Sequence, residues 1–130
     1  MRKAAVNKII NTTRTVLGNY EGKIPFAFLF GSWTKSRQTS LSDIDIAIFF
    51  RDIPESLKTK IEHQISLLFD EQVNILRLED ENISPLIKLE SLKGIPLIIP
   101  ESDFLNGFIL SIIHKAEEMR RLLGRLRNAA

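Results

Sequence analysis

The chain contains no cysteine. That excludes a disulfide framework, a thiol nucleophile and a thiolate metal site, and it fits a cytoplasmic protein. Histidine is almost as scarce, with only His63 and His114 present. Both fall in stretches of helical periodicity, and His63 has no second histidine at ligand spacing. A solvated helical histidine is expected there, and no Ser/His/Asp triad is suggested. The net charge is only +2 at neutral pH, so no strong field for a polyanion is implied. No stretch approaches the roughly 20 apolar residues of a membrane span. Met1-Arg2-Lys3 leads into mixed polar residues rather than the apolar core of a signal peptide. Internal repeats and low-complexity segments are absent as well.

What is present is the composition of an ordinary globular protein, with 44% hydrophobic and 26% charged residues over 130 positions. That length supports one core, and residues 1–130 read as a single domain. Lys3 to Leu17 has a helical stripe of Val6, Ile9, Ile10, Thr13, Val16 and Leu17, ended by Gly18-Asn19. Strands are expected at Ile24 to Phe30, Asp43 to Phe50 and Gln72 to Leu78. Leu57, Ile61, Ile65 and Leu68 share one face of a helix that begins at Glu55-Ser56. Ser84-Pro85 occupies the N-cap and first positions of another helix. Ile95 to Ile99 contains Pro96 and is followed by Pro100, so it belongs at a sheet edge if it pairs at all.

The most informative stretch runs from Gly31 to Asp45. An apolar strand leads into Gly31-Ser32, a polar loop follows, and a second apolar strand leaves from Asp43. Residues i and i+2 of a strand share a face, so Asp43 and Asp45 stand side by side with Ile44 turned away. Two parallel carboxylates repel each other and are costly to desolvate, and a hard cation removes both penalties. Mg²⁺ is commonly held by one or two carboxylates together with substrate phosphates. The plain alternative is a strand entry with Asp43 in the loop and Asp45 facing solvent. Gly31-Ser32 tips the balance towards metal and phosphate. Glycine lets the backbone turn sharply, serine caps the next turn, and the N–H groups of that turn form an anion site. Lys35 would add a point charge to phosphate. Trp33, the single tryptophan, suits packing at the core rim better than stacking on a base.

The pattern Gly31-Ser32 followed by Ser42-Asp43-Ile44-Asp45 and a hydrophobic strand resembles the nucleotidyltransferase superfamily that shares the DNA polymerase beta catalytic fold. Length and helix placement are most similar to its minimal nucleotidyltransferase (MNT) branch, often paired with HEPN-domain proteins in toxin–antitoxin modules. The resemblance extends to about Pro100. It implies an α+β fold, a small mixed β-sheet with helices packed mainly on one face. It also implies a nucleoside triphosphate, with ATP expected, and Mg²⁺ as cofactor. By the same resemblance Asp43 and Asp45 would hold metal and act in catalysis, while Gly31, Ser32 and Lys35 would bind the phosphates. The acceptor would be a hydroxyl, plausibly on a HEPN partner.

Two positions depart from the family pattern. An Ala-Arg-Gly-like segment is replaced by Thr34-Lys35-Ser36, which keeps a charge but loses the bidentate fork. The third acidic position, in a Val-Asp-Leu-Val-like run, falls on Asn74 within Val73-Asn74-Ile75-Leu76. Asparagine carries no charge and takes up no proton at neutral pH. The alternative function is therefore a catalytically weak or inactive module of the same fold that neutralises a partner by contact. The final stretch bears on it. Asp103 to Arg127 reads as one long helix with a wide apolar stripe and a basic end. That stripe either packs across the sheet or makes a contact with a partner protein or a second copy.

Overall fold

The computed structural model describes residues 2–34 and 43–129. Helix α1 (Arg2–Leu17) runs into a 3-10 turn, Gly18–Tyr20, and then into β1 (Ala27–Phe30). A second 3-10 turn, Gly31–Thr34, follows, and β2 (Ile44–Ile48) is the next described element. After it come α2 (Glu55–Ser66), β3 (Val73–Arg77), α3 (Pro85–Ser91), β4 (Ile95–Ile98) and α4 (Ser102–Ala129). The four strands form one sheet in the order β3-β2-β1-β4. β1 is antiparallel to both β2 and β4, whereas β2 and β3 are parallel and joined through α2. The sheet is therefore mixed, as expected.

The paired strands are shorter than their apolar runs, and the backbone explains the difference. Pro25 has no N–H to donate and sits before β1. Ladder-like bonds nevertheless continue past the strand ends: Phe49 N–H donates to the Phe26 carbonyl at 3.1 Å, and Arg51 N–H to that of Lys23 at 2.9 Å. Ile44 N–H donates to the Gln72 carbonyl at 2.8 Å, and Leu78 N–H to that of Ile48 at 2.9 Å. Ser84 caps α3 as its sequence suggests, its side chain accepting from Leu86 N–H at 3.3 Å with Pro85 in the first turn.

Alternation along the strands sorts side chains between two cores. Ala27, Leu29, Ile44, Ile46 and Ile48 face α1 and α2 and pack with Ile9, Ile10, Ile61 and Ile65. Phe26, Phe28 and Ala47 point the other way and meet Phe104, Leu105 and Phe108 of α4. The first face holds the larger aliphatic core, under α1 and α2. The second is covered by α4 and the end of α3. It carries an aromatic cluster in which the rings of Phe26, Phe49, Phe104 and Phe108 lie 5.2 to 5.8 Å apart. Several of these pairs are tilted or edge-on, the geometry that the ring quadrupole favours.

Two arginines tie the sheet to its helices. β4 carries Pro96, which cannot donate, and Arg14 of α1 donates to the carbonyls of Pro96 (2.9 Å) and Leu97 (3.1 Å). On β3, Arg77 forms a bidentate pair with Glu62 at 2.7 and 2.9 Å and also reaches Glu55. These hydrogen-bonded carboxylates hold the guanidinium pKa above its ordinary value. Gly94 enters β4 so close to β1 that an added methyl would overlap the Leu29 carbonyl oxygen. Gly94→Ala is therefore expected to cost about 2–3 kcal/mol, read as a lowered urea midpoint at unchanged slope.

Candidate active site

β1 stops at Phe30 and the chain bends through Gly31, whose φ is +79°. An L side chain is strained in that region. Space makes the same demand, because a Cβ on Gly31 would overlap Asp45 Oδ2. Asp45 stands opposite Phe30 in the antiparallel register, and opposite Asn74 in the parallel register with β3. Since Ile44 and Ile46 point into the α1/α2 core, Asp45 points to the other face, at the open end beyond the aromatic cluster.

Three side chains then meet. Asn74 Nδ2 donates to Asp43 Oδ2 and to Asp45 Oδ1, each at 3.1 Å. One amide nitrogen touching both carboxylates means that the two acids converge on a single point, as their i, i+2 spacing suggests. Asn74 is oriented in turn by Gln72, whose Nε2 donates to Asn74 Oδ1 at 3.1 Å. Gln72 escaped the sequence analysis. Its only signal was its own i−2 spacing from Asn74, which places it on the same face of the strand run. Asp43 and Asn74 are exposed and Asp45 is half-buried, so the site opens to solvent.

Asp43, Asp45, Gly31 and Asn74 are thus brought together, and Ser32 follows in the turn. Lys35 lies outside the described residues. Among those residues no group of three or more His, Cys, Asp or Glu side chains is placed to hold a metal ion, in keeping with asparagine at the third position. The donor set suits one hard divalent cation, two anionic oxygens completed by water or phosphate. The amide at position 74 spreads its two N–H groups between the acids, which offsets part of their repulsion when no cation is bound. A tight glycine bend at a strand end, beside paired carboxylates, can seat an anion and its counter-cation together.

No helix among the described residues is long and apolar enough to cross a membrane. By sequence, no curated protein is a significant relative. Solved structures resemble the fold closely. A toxin–antitoxin crystallised with AMP-PNP superposes with a TM-score of 0.74 at 18% identity, covering 92% of this chain and 96% of the other. The toxin–antitoxin MntA-HepT superposes with a TM-score of 0.68 at 16% identity, covering 95% and 97%. A complex from Shewanella oneidensis, a tri-AMPylated HEPN toxin with an MNT antitoxin, gives 0.66 at 18%, covering 99% and 98%. Residues 7–103 match the family described as Polymerase beta, Nucleotidyltransferase. That match spans most of the chain, including the glycine bend and all three side chains that meet at the end of β2, and this protein therefore belongs to the polymerase beta nucleotidyltransferase family.

Proposed function

We propose that the chain moves a nucleoside monophosphate from a Mg²⁺-bound nucleoside triphosphate, ATP by preference, to a hydroxyl on a HEPN-type partner protein. The observation that carries this is the convergence of Asp43 and Asp45 on one nitrogen beside the Gly31 bend. Family membership supports it. So do the AMP-PNP and the AMPylated HEPN toxin found with proteins of the same fold.

Asp43 and Asp45 would ligate the cation. When bound, Mg²⁺ neutralises charge on the triphosphate and on the departing pyrophosphate. The Gly31–Thr34 turn would supply backbone N–H groups and the Ser32 hydroxyl to the β- and γ-phosphates, with Lys35 adding charge. The acceptor oxygen attacks the α-phosphorus in line. The bond from that phosphorus to the oxygen bridging the β-phosphorus breaks, and pyrophosphate leaves with the electron pair. The hydroxyl proton passes to water or to a carboxylate oxygen, because Asn74 has no basic atom at neutral pH. Gly31→Ala is expected to weaken Mg²⁺·ATP binding at least about tenfold, since the methyl would push the Asp45 carboxylate off its position; titration calorimetry reads this directly.

The alternative is a binding module that neutralises its partner by contact, with little or no transfer. One observation favours it: the neutral Asn74 fills a lone pair on each acid that a metal would otherwise share. Labelled ATP, Mg²⁺ and the product of the neighbouring reading frame separate the two. Label on the partner that vanishes in Asp43→Ala supports the transferase. A tight complex without label, indifferent to Asp43→Ala, supports the module.

A further inference from the structure

Helix α4 is longer than the domain it packs on. Leu105, Ile109, Ile112, Ala116, Met119, Leu123 and Leu126 recur at alternating steps of four and three, the spacing of a coiled-coil seam. The first part of this seam is used within the chain. Leu105 joins the aromatic core, and Ile112 and Ala116 are buried. Beyond Ala116 the same seam runs out of the domain for about 20 Å at 1.5 Å per residue. There Leu122, Leu123 and Leu126 are 55%, 53% and 61% exposed.

Charge says what covers it. Arg120 and Arg127 flank the seam directly, Arg121 and Arg125 add positive charge on the outer side of the same turns, and residues 119–129 contain no acid. None of these four arginines is ion-paired among the described residues. A second copy pairing antiparallel along the seam would bring Arg120 against Arg127, and a parallel copy would bring Lys115 against Arg120; both juxtapose like charges. An anionic membrane would be met by a broad face with aromatic anchors, yet residues 109–129 contain no Phe, Tyr or Trp.

We infer that the protruding half of α4 docks an amphipathic helix of a partner protein, with leucine-type residues entering the seam and glutamates or aspartates along its flanks. The inference rests on the protein partner of the proposed function and adds where and by what chemistry that partner is held. Leu123 and Leu126 form the apolar anchor, and Arg120 and Arg127 select the acidic helix and set its register.

The test uses the full chain and, as partner, the product of the neighbouring reading frame. The Leu123→Asp/Leu126→Asp variant is expected to weaken the complex at least about a hundredfold while leaving Mg²⁺·ATP affinity unchanged. Arg120→Glu/Arg127→Glu is expected to weaken it at least about tenfold and to flatten its salt dependence. Partner affinity unchanged in both variants overturns the inference, as does the absence of any complex with the wild-type chain. Sedimentation of the chain alone as a dimer that both variants dissolve overturns it in favour of a second copy. Binding of the chain to phosphatidylglycerol vesicles, lost in the same variants, overturns it in favour of a membrane. If the variants lose the complex but the wild-type chain never labels its partner, the docking site stands and the transferase falls. If label is transferred equally by wild type and variants, the transferase stands and the docking site falls.

Discussion

Asp43→Ala and Asp45→Ala are each expected to lower nucleotidyl transfer at least about a thousandfold, about 4 kcal/mol of transition-state stabilisation. The fold should survive. Asp43 is exposed, so its loss empties no core. Loss of either acid frees one N–H of Asn74, but Asn74 is itself exposed and water replaces the missing acceptor. Removing one of two neighbouring negative charges also relieves repulsion. Stability should therefore stay within about 1 kcal/mol of wild type, or rise slightly. The pair of readings matters: transfer lost with an unchanged thermal midpoint is the mark of a site, whereas transfer and midpoint falling together would mean that the acids serve the fold.

Asn74→Asp should act in the opposite direction. Asn74 now donates to both acids, and a carboxylate there would repel both and donate to neither. Without metal the variant is expected to lose about 1–3 kcal/mol of stability at neutral pH. Saturating Mg²⁺ should restore stability, since only the folded site gathers three hard oxygens. With a third anionic ligand and a basic atom near the acceptor, transfer should rise about a hundredfold or more. A variant destabilised to the same degree with and without Mg²⁺ would show that position 74 does not face a cation site. A variant that binds Mg²⁺ without faster transfer would place the missing acceptor base elsewhere.

The contrast between the two substitutions follows from what was readable in the residues. The site was legible because its signals are local. The i, i+2 spacing of Asp43 and Asp45 and the glycine ending an apolar run each fix geometry within a few residues. Asn74 was singled out only by the resemblance of Val73-Asn74-Ile75-Leu76 to a family run, and it is the parallel register of β2 with β3 that sets it opposite Asp45. The α+β class and the edge position of β4 were likewise legible, the latter from Pro96.

What escaped depends on contacts between distant segments. Nothing local announces that Arg14 ties α1 to β4 from more than eighty positions away. The same holds for Arg77, which gathers Glu55 and Glu62 from α2. The aromatic layer was hidden for a different reason. Phe26 and Phe28 lie in a run apolar on both faces, so alternation marks two buried faces without saying that one of them belongs to α4. In α4 the apolar stripe was legible at full length, but where packing ends and exposure begins is set by the size of the domain beneath it.

The most direct test of the central claim is calorimetric titration of the chain with AMP-PNP, with and without Mg²⁺, for wild type and for Asp43→Ala/Asp45→Ala. A magnesium-chelated triphosphate seated between the two acids and the Gly31 bend predicts binding by the wild type that requires Mg²⁺ and is abolished in the double variant. Binding that persists in the double variant, or that is equally tight without Mg²⁺, would contradict it.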